Sequence, residues 1–244
     1  NRRSRGLGDV YKRQVFFWDG RVGTLEEQTL GPVPNPVEMN LPWSTAISRL
    51  NANSNYVTLF KEAFDSTVIT KTLVAKAIAQ FERTFVSSNS KYDRYLRGED
   101  SLSAAEKRGH DIYFTEKGDC FHCHGANGTF TDNVFRNNGL DAFFADNGLG
   151  DITKNANDNG KFKTPTIRNV ELSAPYMHDG RFKTLEEVVE FYSTGVKFSA
   201  TVDPLMKNVN NGGLQLTTQE KADLVSFLKT FTDSTFLNNP AYSN

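Results

Sequence analysis

The sequence predicts an all-α fold with long loops, and three observations predict it. Two capping boxes, Ser103 to Glu106 and Thr217 to Glu220, each precede a run with an apolar face. From Lys71 onward apolar residues recur at helical spacing. No segment alternates apolar and polar residues in the manner of a half-buried strand.

Taken in order, residues 1–14 (NRRSRGLGDVYKRQ) are basic and aperiodic, and cannot bury enough apolar surface to order themselves. They resemble a leader found at the ends of assembled environmental sequence fragments, and are read as non-native or disordered. The fold is expected to begin near Val15. VFFWDG is apolar and ends in a turn, and Thr24 caps a short helix with Glu26 and Glu27 in its first turn. Four prolines between positions 32 and 42 then impose an extended loop. The helix from Lys71 presents Leu73, Val74, Ala77, Ile78, Phe81 and Phe85 on one face. The polar run 87–100 reads as a domain connector.

A second unit begins near Leu102, with a helix from Ser103 toward Phe114 and another from about Thr184 to Tyr192. A last helix opens at Thr217, with Leu224, Val225, Phe227, Leu228 and Phe231 on one face. The domains expected are a partial one over 15–100 and a complete one over 101–236, with a tail over 237–244. FFWDGRVGTLEEQ echoes PYMHDGRFKTLEEVV, which suggests duplication of one domain. The long loops of the second unit need something to pack on.

Composition excludes several classes. A net charge of -1 gives no field to recruit nucleic acid or an anionic membrane. No stretch approaches the roughly 18 consecutive apolar residues of a membrane span. The content, 38% hydrophobic and 23% charged, is that of a soluble globular chain, and 19 Phe suit a fold wrapped around a large flat cofactor.

Cys120-Phe-His-Cys123-His124 is the sharp motif: C-x-x-C-H, the attachment pattern of c-type haem. Thiols three residues apart reach the two vinyl groups on one edge of a porphyrin, and the adjacent histidine turns beneath the ring toward the iron. A disulfide, a zinc site and a redox dithiol are the alternatives. Zinc takes about four ligands at looser spacing, and a redox C-x-x-C follows a strand in a βαβ unit, for which there is no pattern here. The helices fit a class I cytochrome c-like haem domain, in which the first and last cross. Gly109 and Tyr113, one turn apart, suit that crossing as notch and aromatic partner.

Longer segments carry a family resemblance. GDCFHCHG, GKFKTPTIRNVELSAPYMHDGRFKTLEEVVEFY and LTTQEKADLVSFLKTFTD resemble the second haem domain of the bacterial di-haem cytochrome c peroxidase/MauG family. FFWDGRVGTLEEQTLGPVPNPVEM and FERTFVSSNSKYDRY resemble the later part of its first haem domain. The family's first C-x-x-C-H, expected upstream of FFWDGR, is missing, so the chain as written is not expected to be a competent peroxidase.

The resemblance implies roles for particular residues. Trp18 matches the tryptophan between the two haems, with a core aromatic as the alternative on sequence alone. Gln28 and Glu38 match residues lining the peroxide pocket, with Pro32 between them, and a distal carboxylate suits the proton transfer that O–O cleavage requires. The second axial ligand of the His124 haem falls to Tyr192, matching the tyrosine of MauG-type proteins, or to Met206, which precedes the last helix; Met177 is a third choice. His178 is expected beside the ligands rather than among them. Ser173 and Pro175 match carbonyl donors to an interdomain calcium ion.

Two functions follow. One is an oxidoreductase that reduces hydrogen peroxide, or a MauG-like haem oxidase acting on a protein partner, supplied by a small donor such as a cytochrome c or cupredoxin. The other is a mono-haem electron carrier without catalysis. Family members are often homodimers. Covalent haem c is assembled outside the cytoplasm, so the periplasm is the expected compartment.

Overall fold

The computed structural model describes residues 15–242. The leader expected over 1–14, and the last two residues of the expected tail, lie outside the described residues. The chain is helix-rich, and its described residues divide into two units, 15–17 with Arg21–Phe85, and Trp18–Gly20 with residues 86–242.

In the first unit Thr24 caps α1 (Leu25–Leu30) by accepting from Glu27 N. Helices α2 (Trp43–Asn51) and α3 (Ser54–Phe64) follow the proline-rich stretch, and α4 (Lys71–Glu82) is capped by Thr70. The face of α4 differs from the expected one. Ala75 and Ala79 are the buried residues, whereas Ile78 and Phe81 are exposed and Phe85 lies beyond the helix. Small side chains let α1 approach α4 closely, and the Arg83–Glu26 ion pair at 2.9 Å ties the two together. The Asn51 amide replaces a strand partner for Ile69, accepting from its N–H at 3.0 Å and donating to its carbonyl at 2.9 Å.

The second unit starts earlier than expected. The polar run 87–100 is no connector: Ser90 and Asp93 form a capping box for α5 (Lys91–Leu96). Tyr92 is buried in the core, and Asp93 is fixed by Arg168 through two bonds of 2.8 and 2.9 Å. The capping boxes at Ser103 and Thr217 open α6 (Ala104–Tyr113) and, late in the chain, the long closing helix Thr218–Lys229. Between them lie a two-residue antiparallel ladder of β1 (Phe135–Arg136) with β2 (Phe162–Lys163), and α7 (Leu149–Thr153) in the loop that joins these strands. Helix α8 (Leu185–Glu190) follows, with a further capping box at Thr184. The closing helix is α9, and α10 (Ser234–Leu237) ends the unit.

Helices α6 and α9 cross where the sequence placed the notch. A Cβ at Gly109 would lie 2.0 Å from the Asp223 carbonyl oxygen and 2.7 Å from Phe227 Cβ. Around the crossing, Tyr92, Tyr113, Phe130, Phe227 and Phe231 meet mostly edge to face, the favoured geometry for ring quadrupoles.

The echo in sequence is also an echo in backbone. An antiparallel bridge joins Phe16 to Val22 and another joins Tyr176 to Phe182, each residue 160 positions from its counterpart. Phe17 and Met177 both take positive φ, 65° and 70°, as do Gly20 and Gly180. Thr24 and Thr184 cap the helices that follow, and Glu27 and Glu187 accept from the N–H of Gly23 and Lys183.

Candidate functional site

The Cys-x-x-Cys-His segment is a tight turn hung from the end of α6. Gly118 makes the turn possible, since a Cβ there would meet the Ile112 carbonyl oxygen at 2.4 Å. Asp119, at φ 55°, redirects the chain into a 3₁₀ turn over Cys120–His122. Cys123 N and His124 N both donate to the Cys120 carbonyl, at 3.3 and 2.9 Å. Tyr113, the aromatic expected at the crossing, donates its hydroxyl to the His124 carbonyl at 2.5 Å.

His124 is oriented from behind. Its Nδ1 faces the Phe130 carbonyl at 3.3 Å, which leaves Nε2 for a metal. Burial, opposed by bonds to Phe130 and Pro165, holds its pKa below the usual histidine value, favouring the neutral form that binds metals. The two cysteines are unpaired, and burial pushes their thiols up to about 12 for Cys120 and about 11 for Cys123. They are poor candidates for a thiolate redox pair.

His122 turns away from His124. It joins Glu116 and Asp119, at 3.2 and 3.1 Å, in a surface cluster that Lys207 enters with an ion pair to each carboxylate. The four side chains of the motif therefore do not converge on one zinc ion.

Cys120, Cys123 and His124 instead line one wall of a cavity of about 470 Å³. Trp18 borders it, and Met177, Tyr192 and Met206 supply sulfur and phenol donors to the same cavity. Tyr192 sits on a π-type turn over Phe191–Gly195 that widens the end of α8, a local geometry often found at functional sites. Burial pushes its phenol up to about 12, against a lowering hydrogen bond from Asn138. His178 stacks on Phe162 with ring centroids 3.7 Å apart, and Ser173 and Pro175 also reach the wall. Lys163 N donates to the Trp18 carbonyl at 2.9 Å, and residues 18–20 go with the second unit, not the first as expected. Gln28 lies half-buried on α1, and Glu38 is exposed on the turn after it; both belong to the first unit.

Sequence reading missed Asn138 and Arg136. Arg136 pairs with Asp132 at 2.6 Å and Asp203 at 2.9 Å, fastening the Met206 loop to β1. No local motif announces either residue, since Asn138 meets Met177 and Tyr192, and Arg136 meets Asp203, far along the chain.

Two free thiols on one turn, an imidazole with its outer nitrogen already engaged and a roomy cavity with further donors fit a covalently attached haem. The site is thus of the kind that defines a c-type cytochrome domain. A family model described as di-haem cytochrome c peroxidase matches residues 1–101. The chain is 35% identical to methylamine utilization protein MauG of Methylorubrum extorquens, covering 88% of this chain and 60% of that protein. It is 34% identical to cytochrome c551 peroxidase of Nitrosomonas europaea, covering 88% and 61%. A crystal structure of a MauG-like protein associated with microbial copper homeostasis superposes with a TM-score of 0.86 at 37% identity, covering 96% of this chain and 76% of that one. The chain belongs to the di-haem cytochrome c peroxidase/MauG family. It spans about three-fifths of the length of the MauG and cytochrome c551 peroxidase relatives.

Proposed function

We propose that this chain holds one haem c in the electron-transfer domain of a di-haem peroxidase-type oxidoreductase that reduces hydrogen peroxide to water. The observation that carries the reading is the orientation of His124, with Nδ1 engaged by Phe130 and the ring on the cavity wall beside both thiols. Cys120 and Cys123 would hold the group through thioether links, and His124 together with Tyr192 or Met206 would bind its iron. Bound there, the group would supply a one-electron carrier within reach of a small donor protein such as a cytochrome c or cupredoxin.

The remaining roles belong to this chain's own side chains. Trp18, at the cavity border, offers an aromatic ring for onward electron passage. In the first unit the Gln28 amide would orient peroxide by hydrogen bonding. The Glu38 carboxylate would take the proton from the inner peroxide oxygen and deliver it to the outer one. Ser173 and Pro175 are the calcium candidates through their carbonyls. Among the described residues no helix is long and apolar enough to cross a membrane, and covalent haem attachment, which takes place outside the cytoplasm, supports a periplasmic location.

The phenol of Tyr192 at the cavity supports a second reading, a MauG-like haem oxidase acting on a protein partner. Haem counting by pyridine haemochrome, on protein made with a c-type maturation system, tests the site. One haem per chain is expected, and none in the Cys120→Ala, Cys123→Ala double variant. A wild-type chain without covalent haem overturns the reading. Peroxide turnover against oxidation of a protein partner, measured on a form as long as its relatives, separates the two activities.

A further inference from the structure

Asn138 touches two of the three side chains that bring sulfur and phenol donors to the cavity. Its Nδ2 donates to Tyr192 Oη at 3.1 Å and lies 3.7 Å from Met177 Sδ, one N–H for each. Neither motif nor resemblance pointed to it.

Its direction is fixed by its neighbours. Asn137 is 2% exposed, and its Nδ2 donates to Ser199 Oγ and Thr201 Oγ1 at 2.9 Å each. Gly139 N donates to Asn137 Oδ1 at 2.9 Å, and Lys197 N donates to the Gly139 carbonyl at 2.7 Å. Gly139 holds φ 74°, and a Cβ there would meet Val196 Cγ1 at 2.6 Å. Two anchored residues thus flank Asn138, and it reaches the cavity from a rigid base. Tyr192 is equally well held, its carbonyl accepting from Leu214 N at 3.0 Å beside a Ser193 hydroxyl that accepts from Leu216 N at 2.9 Å.

A phenol oxygen carries two lone pairs. The Asn138 amide engages one, which leaves the other for a second partner. Met177 sits at φ 70°, a backbone region that long side chains rarely adopt, with its sulfur beside the second Asn138 N–H. Met206 is carried differently, on a loop fastened through Arg136 to Asp203 and through Lys207 to Glu116 and Asp119.

We propose that Asn138 is a positioning residue that fixes the Tyr192 oxygen as the second axial ligand of the His124 haem and restrains the Met177 sulfur as a competitor. The inference rests on the haem reading above, and the two fail separately. Haem per chain is counted first; a chain with no covalent haem overturns the haem reading and this inference with it. The ligand is then read from electron paramagnetic resonance and visible spectra of the oxidised, haem-loaded chain.

A tyrosine-ligated spectrum is expected in the wild type and its loss in Tyr192→Phe. Asn138→Leu, which keeps the shape and removes the donors, is expected to shift most molecules to the Tyr192→Phe spectrum or to a thioether-ligated one. Asn138→Gln, which retains the donors, is expected to hold the wild-type spectrum. An unchanged spectrum in Asn138→Leu overturns the proposal. So does an equal change in the Leu and Gln variants, which marks a packing role, or a wild type indifferent to Tyr192→Phe.

Discussion

Gly109 lies so close to Asp223 that a methyl group on its Cα would sit 2.0 Å from the Asp223 carbonyl oxygen. In an exposed helix interior, replacing glycine by alanine gains about 1 kcal/mol. Here the sign reverses, because overpacking a helix crossing costs about 1–3 kcal/mol. Gly109→Ala is expected to lower the urea midpoint, and a raised midpoint contradicts the crossing geometry.

Arg168 and Asp93 form a bidentate pair with side chains only 7% and 11% exposed. Removing one partner strands a buried charge, at about 3–5 kcal/mol. Arg168→Met is therefore expected to destabilise by that amount. Adding Asp93→Asn, which keeps an acceptor for Ser90 but removes the charge, recovers a large part of the loss. Additive losses in chemical denaturation rule out this coupling.

Asp233 is 1% exposed, and its carboxylate accepts from Ser87, from the backbone of Ser88 and Asn89, and from Thr235 and Phe236. Burial opposes ionisation, but these donors outweigh it and hold the pKa at about 2, against an ordinary 3.8. The folded chain thus binds this proton more weakly than the unfolded one. The difference is worth about 2 kcal/mol. It is fully present above pH 3.8 and disappears as pH falls toward 2. In acid denaturation Asp233→Asn is expected to flatten the pH dependence in that window, and an unaltered slope refutes the assignment.

The Tyr113 hydroxyl is the donor to the carbonyl of His124. Tyr113→Phe leaves that carbonyl short of a partner at a cost of about 1–3 kcal/mol. Thermal unfolding of the haem-loaded protein is the measurement, and a variant as stable as wild type removes Tyr113 from the support of the haem turn.

Much of this was legible in sequence because its signals are local. The Ser103 and Thr217 boxes each join residues three apart, and the Cys120–His124 spacing contains its own geometry. The Ser90–Asp93 box is equally local, but it lies in a polar run whose burial depends on Arg168, 75 residues away. Helices α2 and α3 carried no capping box and passed unread, although both are amphipathic. On α4 the apolar spacing was correct and the burial was not. A close neighbour selects Ala75 and Ala79, and hydropathy alone favours Ile78 and Phe81. Asn138 is the extreme case, since its contacts are 39 and 54 residues distant.

The repeated bridge-and-cap frame has an evolutionary consequence. Carried past the helix caps, the same 160-residue interval sets Pro32 against Tyr192 and Gln28 against Val188. At one pair the later copy offers a phenol and the earlier copy a ring with no atom to give; at the other, a carboxamide stands where its twin has a bare hydrocarbon. The two halves share this bridge-and-cap frame, and beyond it both side chains and main chain diverge: a proline-rich turn follows α1, whereas a π-type turn over Phe191–Gly195 follows α8.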